Sequence, residues 1–277
     1  MTTLHFSKMH GLGNDFVVIN GLAQPFNLKK IPIKSLANRQ TGIGFDQLLI
    51  ILPSKKADFA CVIFNSDGTE AEQCGNGMRC IARFIHENSL SSQKSISIET
   101  KTGITEIKID DNDHIHVNMG LPCFEPAEIP FTADRERHLY EIPLDDGQPG
   151  FALSILSMGN PHAILQVSCI KQFPVAQWGP VISTHPLFPK GANVGFMEIL
   201  NPRHILLRTY ERGAGETLAC GSNACAAVVS GIRNNLLENN VTVEVSLGQL
   251  SVQWEGENTP VILSGPAAQV FSGVIMV

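Results

Sequence analysis

The chain repeats itself, and the repeat constrains it more than any other feature. Asn14, Gln47, Asn65 and Cys74 recur in kind as Asn160, Asn193, Glu211 and Cys220, each 146 positions later with no insertion between them. Each cysteine is followed by a glycine and a small polar residue, Cys74-Gly75-Asn76 and Cys220-Gly221-Ser222. Each is preceded four residues back by a glutamate, Glu70 and Glu216. A chain of 277 residues built this way must fold as two similar units. What stays in step is a set of amides and thiols rather than a core pattern, so a site was duplicated along with a fold. Two facing copies of one thiol suit a reaction in which a proton leaves one face of a carbon and arrives on the other.

Past the cysteines the repeat continues at an offset of 145, with Ile96, Ile98, Gly103 and Gly120 matching Val241, Val243, Gly248 and Gly265. One residue is therefore expected to be missing between Cys220 and Cys225. The domains predicted are 1–120 and 121–265, with the last strand, 266–277, returning to the first. Residues 123–149 have no counterpart and read as an inserted connection or extra strands.

Short apolar or alternating runs punctuated by glycine and proline predict strands over Leu48–Leu52, Phe59–Phe64, Ser95–Thr100, Thr105–Ile109, Ile205–Tyr210, Val241–Val245 and Leu250–Trp254. A stripe of Met78, Ile81, Ala82 and Ile85 predicts a helix from Met78, and a second is predicted over Ala224–Leu237. The second is apolar or small nearly all round, so protein must surround it. The fold class expected is α+β: two pseudo-symmetric domains from an internal duplication, each a curled, mainly antiparallel sheet around a central helix.

A hydrophobic content of 43% and a charged content of 17% indicate a globular core. A net charge of -6 argues against nucleic acid as a partner. The N-terminus lacks a signal-peptide pattern, and no apolar run approaches the ~20 residues that span a bilayer, so no membrane association is expected and the chain reads as cytoplasmic. Seven cysteines are an odd number for a disulfide framework, which a chain this long does not need, and Cys74/Cys80 and Cys220/Cys225 lack the spacing of a zinc knuckle. Cys61, Cys80 and Cys225 read as core, while Cys123 and Cys169 carry no signal.

The Cys-Gly-polar turns place each thiol at a helix N-terminus, with Asn76 and Ser222 read as the caps. Free amides and the helix dipole there favour negative charge, which predicts a lowered thiol pKa and a seat for a carboxylate. Two facing thiols would not both ionise, so one thiolate and one thiol are expected, a base and an acid on opposite sides of a carbon. No cofactor or metal is required, and no nucleotide-binding glycine motif or duplicated lysine suggests one. Asn14, Gln47, Asn160 and Asn193 are uncharged groups that suit ammonium and carboxylate in one pocket. Arg212 has Ser66 as its counterpart, and this break in symmetry fits a clamp for a second carboxylate. Glu211 replaces an amide and could receive an ammonium. His162, opposite Phe16, could tune the thiols or be a structural histidine.

The motifs His10-Gly11-Leu12-Gly13-Asn14-Asp15-Phe16, Asn65-Ser66-Asp67-Gly68, Glu72-Gln73-Cys74-Gly75-Asn76-Gly77, Gly159-Asn160-Pro161-His162 and Glu211-Arg212-Gly213-Ala214-Gly215-Glu216-Thr217 through Cys220-Gly221-Ser222 resemble those of diaminopimelate epimerases from end to end. The resemblance implies a cofactor-independent epimerase that interconverts LL- and meso-diaminopimelate in lysine and peptidoglycan precursor biosynthesis. It implies Cys74 and Cys220 as the catalytic pair, with His162 and Glu211 modulating their pKa. Asn14, Gln47, Asn65, Gly75, Asn76, Asn160, Asn193, Glu211, Arg212, Gly221 and Ser222 would bind the small-molecule substrate in a cleft between domains. A homodimer is also implied, with Phe271 at its contact, where the family often has tyrosine. Asn223 stands where glycine is common. A proline racemase-type enzyme shares the two-thiol logic but has no use for Arg212. A redox or metal-binding protein is a second alternative, and a phenazine-type isomerase without thiols a third.

Overall fold

The structure, a computed structural model, describes residues 3–24, 27–28, 31–71, 75–112, 114–143 and 150–276. The expected Cys74, with Glu72 and Gln73 before it, lies outside the described residues, as does part of the unmatched segment 123–149. The chain forms two compact units, 1–118 with 264–277, and 119–263.

In the first unit the strands are β1 (Thr3–Gly11), β2 (Asn14–Asn20), β3 (Gln47–Leu52), β4 (Phe59–Asn65), β5 (Glu70–Ala71), β6 (Ser95–Thr100), β7 (Gly103–Ile109) and β8 (Ile115–Asn118). Helix α1 (Ile33–Ala37) lies between β2 and β3, and α2 (Gly75–Glu87) between β5 and β6. Pairing is antiparallel except for β2 with β3 and β4 with β6. Those two exceptions are the connections that contain a helix, because a parallel partner requires a crossover. The closing strand, Ala268–Met276, returns to pair antiparallel with β1.

The strands β2 and β3 read as unbroken apolar runs because both their faces are covered. Alternate residues Val17, Ile19, Leu48 and Ile50 pack with Ile33 and Leu36 of α1, while α2 packs against β1, β2 and β3. By contrast β6 and β7 alternate buried with exposed positions, as strands with one wet face do.

The second unit contains β9 (Tyr140–Ile142), β10 (Phe151–Ser157), β11 (Pro161–Gln166), β12 (Asn193–Asn201), β13 (His204–Glu211), β14 (Gly215–Thr217), β15 (Asn240–Val245) and β16 (Gly248–Gln253). Its helices are α3 (Val175–Ser183) and α4 (Gly221–Arg233). The strand registers repeat those of the first unit. Phe16 opposite Gln47 becomes His162 opposite Asn193; Leu48 opposite Phe64 becomes Val194 opposite Tyr210; Phe64 opposite Glu70 becomes Tyr210 opposite Glu216. The pair Ile98 and Thr105 becomes Val243 and Leu250. Helix α4 is buried along nearly its whole length, and Cys61, Cys80 and Cys225 are core residues.

Three details depart from expectation. Both helices begin earlier than their apolar stripes, at Gly75 and Gly221, and α4 ends at Arg233 rather than Leu237. The cap of α4 is Cys220 itself, with Ser222 inside the first turn and Asn76 likewise inside α2. A Gly-polar sequence reads as a turn, yet its backbone continues the helix. Finally, α2 and α4 have 13 residues each and are followed by equivalent left-handed residues, Ser89 (φ 52°) and Asn235 (φ 58°). The missing residue therefore falls in the loops leading to Ser95 and Asn240, not in the first turn of the helix.

Candidate active site

In each unit the duplicated residues gather at one end of the sheet, because the repeat places them at equivalent element termini. In the first unit Asn14 opens β2, Gln47 opens β3, Asn65 closes β4, and Gly75-Asn76 open α2. Gly13 precedes Asn14 at φ 89°, and Gly159 precedes Asn160 at φ 88°, a backbone angle that only glycine adopts freely.

The Asn14 amide is held from both sides. Its Nδ2 donates to Asp46 Oδ2 at 2.9 Å, and its Oδ1 accepts from Asn76 Nδ2 at 3.2 Å. Gln47 Nε2 donates to Asn65 Oδ1 at 3.0 Å, and Asn65 Nδ2 donates to Thr69 Oγ1 at 3.1 Å. Behind Asn14 stands an ion cluster. Asp46 and Asp15 exchange backbone-to-carboxylate bonds, with Asp15 N donating to Asp46 Oδ2 and Asp46 N to Asp15 Oδ1. Arg39 forks onto Asp15 at 2.8 and 2.7 Å and reaches Asp46 Oδ1 at 2.7 Å. The buried Lys8 donates to Asp15 Oδ2 and to the Gly44 carbonyl. Burial alone would raise the Asp15 pKa, but Arg39 and Lys8 outweigh it and hold the carboxyl well below its usual range.

In the second unit Asn160 precedes β11, Asn193 opens β12, Glu211 closes β13, and Cys220-Gly221-Ser222 lead into α4. Asn193 Oδ1 accepts the backbone N–H of Arg212 at 3.0 Å, which fixes the turn carrying that exposed side chain. Arg212 Nη1 itself donates to the Lys190 carbonyl at 2.8 Å. Glu211 Oε1 accepts from Thr217 Oγ1 at 2.6 Å. His162 is fully buried, with one ring nitrogen facing Asn160 and the other Asn223. Burial, aided by the charge of Arg212, lowers its pKa from 6.5 to about 4, so the ring is neutral at pH 7.

The Cys220 thiol corrects an expectation. It sits where the helix dipole favours a thiolate, and both Ser222 Oγ, 3.4 Å away, and the Asn223 N–H lower its pKa. Burial and the carboxylate of Glu211 outweigh them and push the thiol well above its usual value. In this state Cys220 is a thiol, not a thiolate. The first intrahelical bond runs from Ala224 N to Cys220 O. The N–H groups of Gly221 and Ser222 therefore have no partner within the helix and are placed to receive an anion.

Comparison with known proteins gives this geometry its context. The family model "Diaminopimelate epimerase" matches residues 6–124 and 154–270. The chain belongs to the diaminopimelate epimerase family. It is 51% identical to the diaminopimelate epimerase of Chromobacterium violaceum, over 98% of this chain and 99% of that protein. To the diaminopimelate epimerase of Pseudomonas aeruginosa it is 48% identical, over 98% and 99%. Among solved structures its fold is similar to a PhzF-family phenazine biosynthesis protein of Bacillus anthracis, with a TM-score of 0.72, 18% identity and full coverage of both chains. A hydroxyproline epimerase of Agrobacterium vitis gives a TM-score of 0.70 at 13% identity, over 99% of this chain and 92% of that one. These two likenesses support the α+β fold expected.

What the sequence did not disclose in this epimerase-family site is the set of side chains that support the duplicated residues, two of which, Asp15 and Thr217, lie within the motifs. Thr217 beside Glu211, Asn223 beside His162, and the cluster of Lys8, Asp15, Arg39 and Asp46 were not singled out for a role in it. Asp15 and Asp46 each adjoin a duplicated position, Asn14 and Gln47, and that adjacency was the available signal.

Proposed function

We propose that the protein interconverts LL- and meso-diaminopimelate by cofactor-independent, two-base transfer of the α-proton, in lysine and peptidoglycan precursor biosynthesis. The observation that carries this reading is the thiol of Cys220 at the start of α4, beside Glu211, in a chain about half identical to named diaminopimelate epimerases. One thiolate removes the α-proton; the other thiol delivers a proton to the opposite face, so each turnover leaves the pair with its roles exchanged. Cys220, protonated at rest, is the acid of the resting pair, with Cys74 its partner. The N–H groups that open α2 in the first unit, at Gly75-Asn76, and α4 in the second, at Gly221-Ser222, each serve the α-carboxylate, as aligned amides stabilise the charge that develops on proton removal. Glu211 receives the α-ammonium. That pairing compensates the carboxylate that raises the Cys220 pKa, so binding prepares the thiol to ionise. Arg212 pairs with the distal carboxylate, while Asn14, Gln47, Asn65, Asn160 and Asn193 complete the polar lining.

The reading also takes the protein to be a cytoplasmic homodimer. The closing strand supports this by presenting Val270, Phe271, Val274 and Met276 exposed, with Phe271 edge-on to Phe6 at 6.0 Å. Incubation with LL-diaminopimelate in heavy water tests the activity: meso product should form with deuterium at the inverted α-carbon. Absence of both, with proline turned over instead, would overturn it. Arg212→Met leaves a carboxylate unpaired, a loss of about 2–5 kcal/mol, and should lower kcat/KM for diaminopimelate by about 30-fold to several thousand-fold.

A further inference from the structure

His162 faces two acceptors with one proton to give. Its Nδ1 lies 3.1 Å from Asn223 Oδ1, and its Nε2 lies 2.8 Å from Asn160 Oδ1. Satisfying both oxygens needs two N–H donors, which only the imidazolium has. The ring is completely buried, and its pKa of about 4 leaves it neutral at physiological pH. One amide must therefore present its nitrogen, and the surroundings decide which.

Asn223 has no freedom to turn. Its Nδ2 donates to the Val194 carbonyl at 3.1 Å and to Thr209 Oγ1 at 2.8 Å. Reversed, its oxygen would face the Val194 carbonyl oxygen, and the nitrogen would lose both acceptors in a site with no exposure to water. The side chain also has a space made for it, although hydrogen bonding alone sets which way the amide faces. A Cβ at Gly195 would lie 3.0 Å from Asn223 Oδ1 and 3.1 Å from its Nδ2, so the missing side chain there leaves room for this amide. Asn160 is only half buried, and its side chain has no other hydrogen-bond partner among the described residues. Asn160 is the amide that turns.

We infer that Asn223 is a positioning residue: it holds His162 as the neutral tautomer protonated on Nδ1, so that Nε2 accepts from Asn160 Nδ2 and Asn160 Oδ1 is directed away from the ring as an acceptor. The assignment of the tautomer stands on the hydrogen-bond geometry together with the burial that keeps the ring neutral. Its consequence rests on the proposed function, in which Asn160 is part of the polar lining: its outward oxygen is then an acceptor there for a substrate N–H. His162 then acts through Asn160, and its neutrality is part of the arrangement.

Nitrogen-15 spectra of protein labelled at its histidines read the tautomer directly, with His162→Gln assigning the signal by difference. In the wild type His162 should show a protonated Nδ1 and a bare Nε2, unchanged from about pH 6 to about pH 9. A protonated Nε2, or an imidazolium, would overturn the assignment and needs no variant to be seen. Asn223→Gly removes the acceptor that holds the proton. His162 should then move to the Nε2–H form, and KM for diaminopimelate should rise by about 10-fold with a smaller change in kcat. An unchanged ring spectrum in Asn223→Gly would also overturn it. If the wild-type spectrum is as stated but diaminopimelate is not turned over, the tautomer stands and the functional reading fails.

Discussion

The two half-sites hold the same amide by opposite means. In the first unit Asn14 is tied to Asp46, part of a cluster of four charges with Asp15, Arg39 and Lys8. In the second, Asn160 lies against a neutral, buried His162 backed by Asn223. At the positions equivalent to Lys8, Asp15, Arg39 and Asp46 the second unit has Ser154, Pro161, His185 and Ala192, so none of the four charges is repeated as a permanent charge. The duplicated halves share the amides and differ in the supports behind them. The two supports also have different weaknesses: one depends on charges staying ionised, the other on a ring staying neutral.

The largest test of the comparison concerns the thiols themselves. If the halves contribute alike, Cys74→Ala and Cys220→Ala should each lower kcat by about 10³-fold or more, in both directions. Near-normal turnover by one of them would make the halves unequal. Next, Asp15→Asn leaves the buried Lys8 without its counter-charge and should cost about 3–5 kcal/mol at neutral pH, measured by denaturant titration. A loss much below this would show that the cluster is not what holds the first half-site.

The pH response should separate the units further. The folded pKa of His162 is lowered, so its contribution is complete above 6.5 and lost as pH falls toward about 4. Through that window the unfolded chain binds a proton that the native ring refuses. The loss amounts to about 3 kcal/mol and should vanish in His162→Gln. Asp15 is also depressed, but its window opens only below 3.8, so its contribution persists to lower pH. Stability curves in which His162→Gln leaves the first acid limb unchanged would break this ordering. The smallest effect belongs to Arg39, whose side chain is 58% exposed. Arg39→Gln should cost about 1 kcal/mol or less, and less still in high salt.

The sequence disclosed the duplicated residues because a fixed offset makes them visible without any structure. Strands such as Ser95–Thr100 were legible from alternation, α2 from its apolar stripe and α4 from an apolar or small surface nearly all round, whereas α1 and α3 were not anticipated. The helix starts were not, since Gly75-Asn76-Gly77 and Gly221-Ser222 carry no apolar signal while forming the first turn. The Cys220 pKa was misread because the helix dipole is a local property, whereas burial and the approach of Glu211 are tertiary ones. The ion cluster was illegible for a similar reason: Lys8, Asp15, Arg39 and Asp46 are scattered single charges that the pairing of β1 with β2 and of β2 with β3, and the loop after α1, bring together.

The strand Ala268–Met276 has a consequence for synthesis. It covers the outer edge of β1, yet it leaves the ribosome after the whole of the second unit. At roughly 5–20 residues per second, β1 waits on the order of 10–50 s, about 250 residues of translation, with one backbone edge unpaired. An unpaired edge is the part of a nascent chain most open to pairing with a neighbour. β1, made before every other strand among the described residues, is thus among the last to be sheltered, and the second unit has its full sequence first.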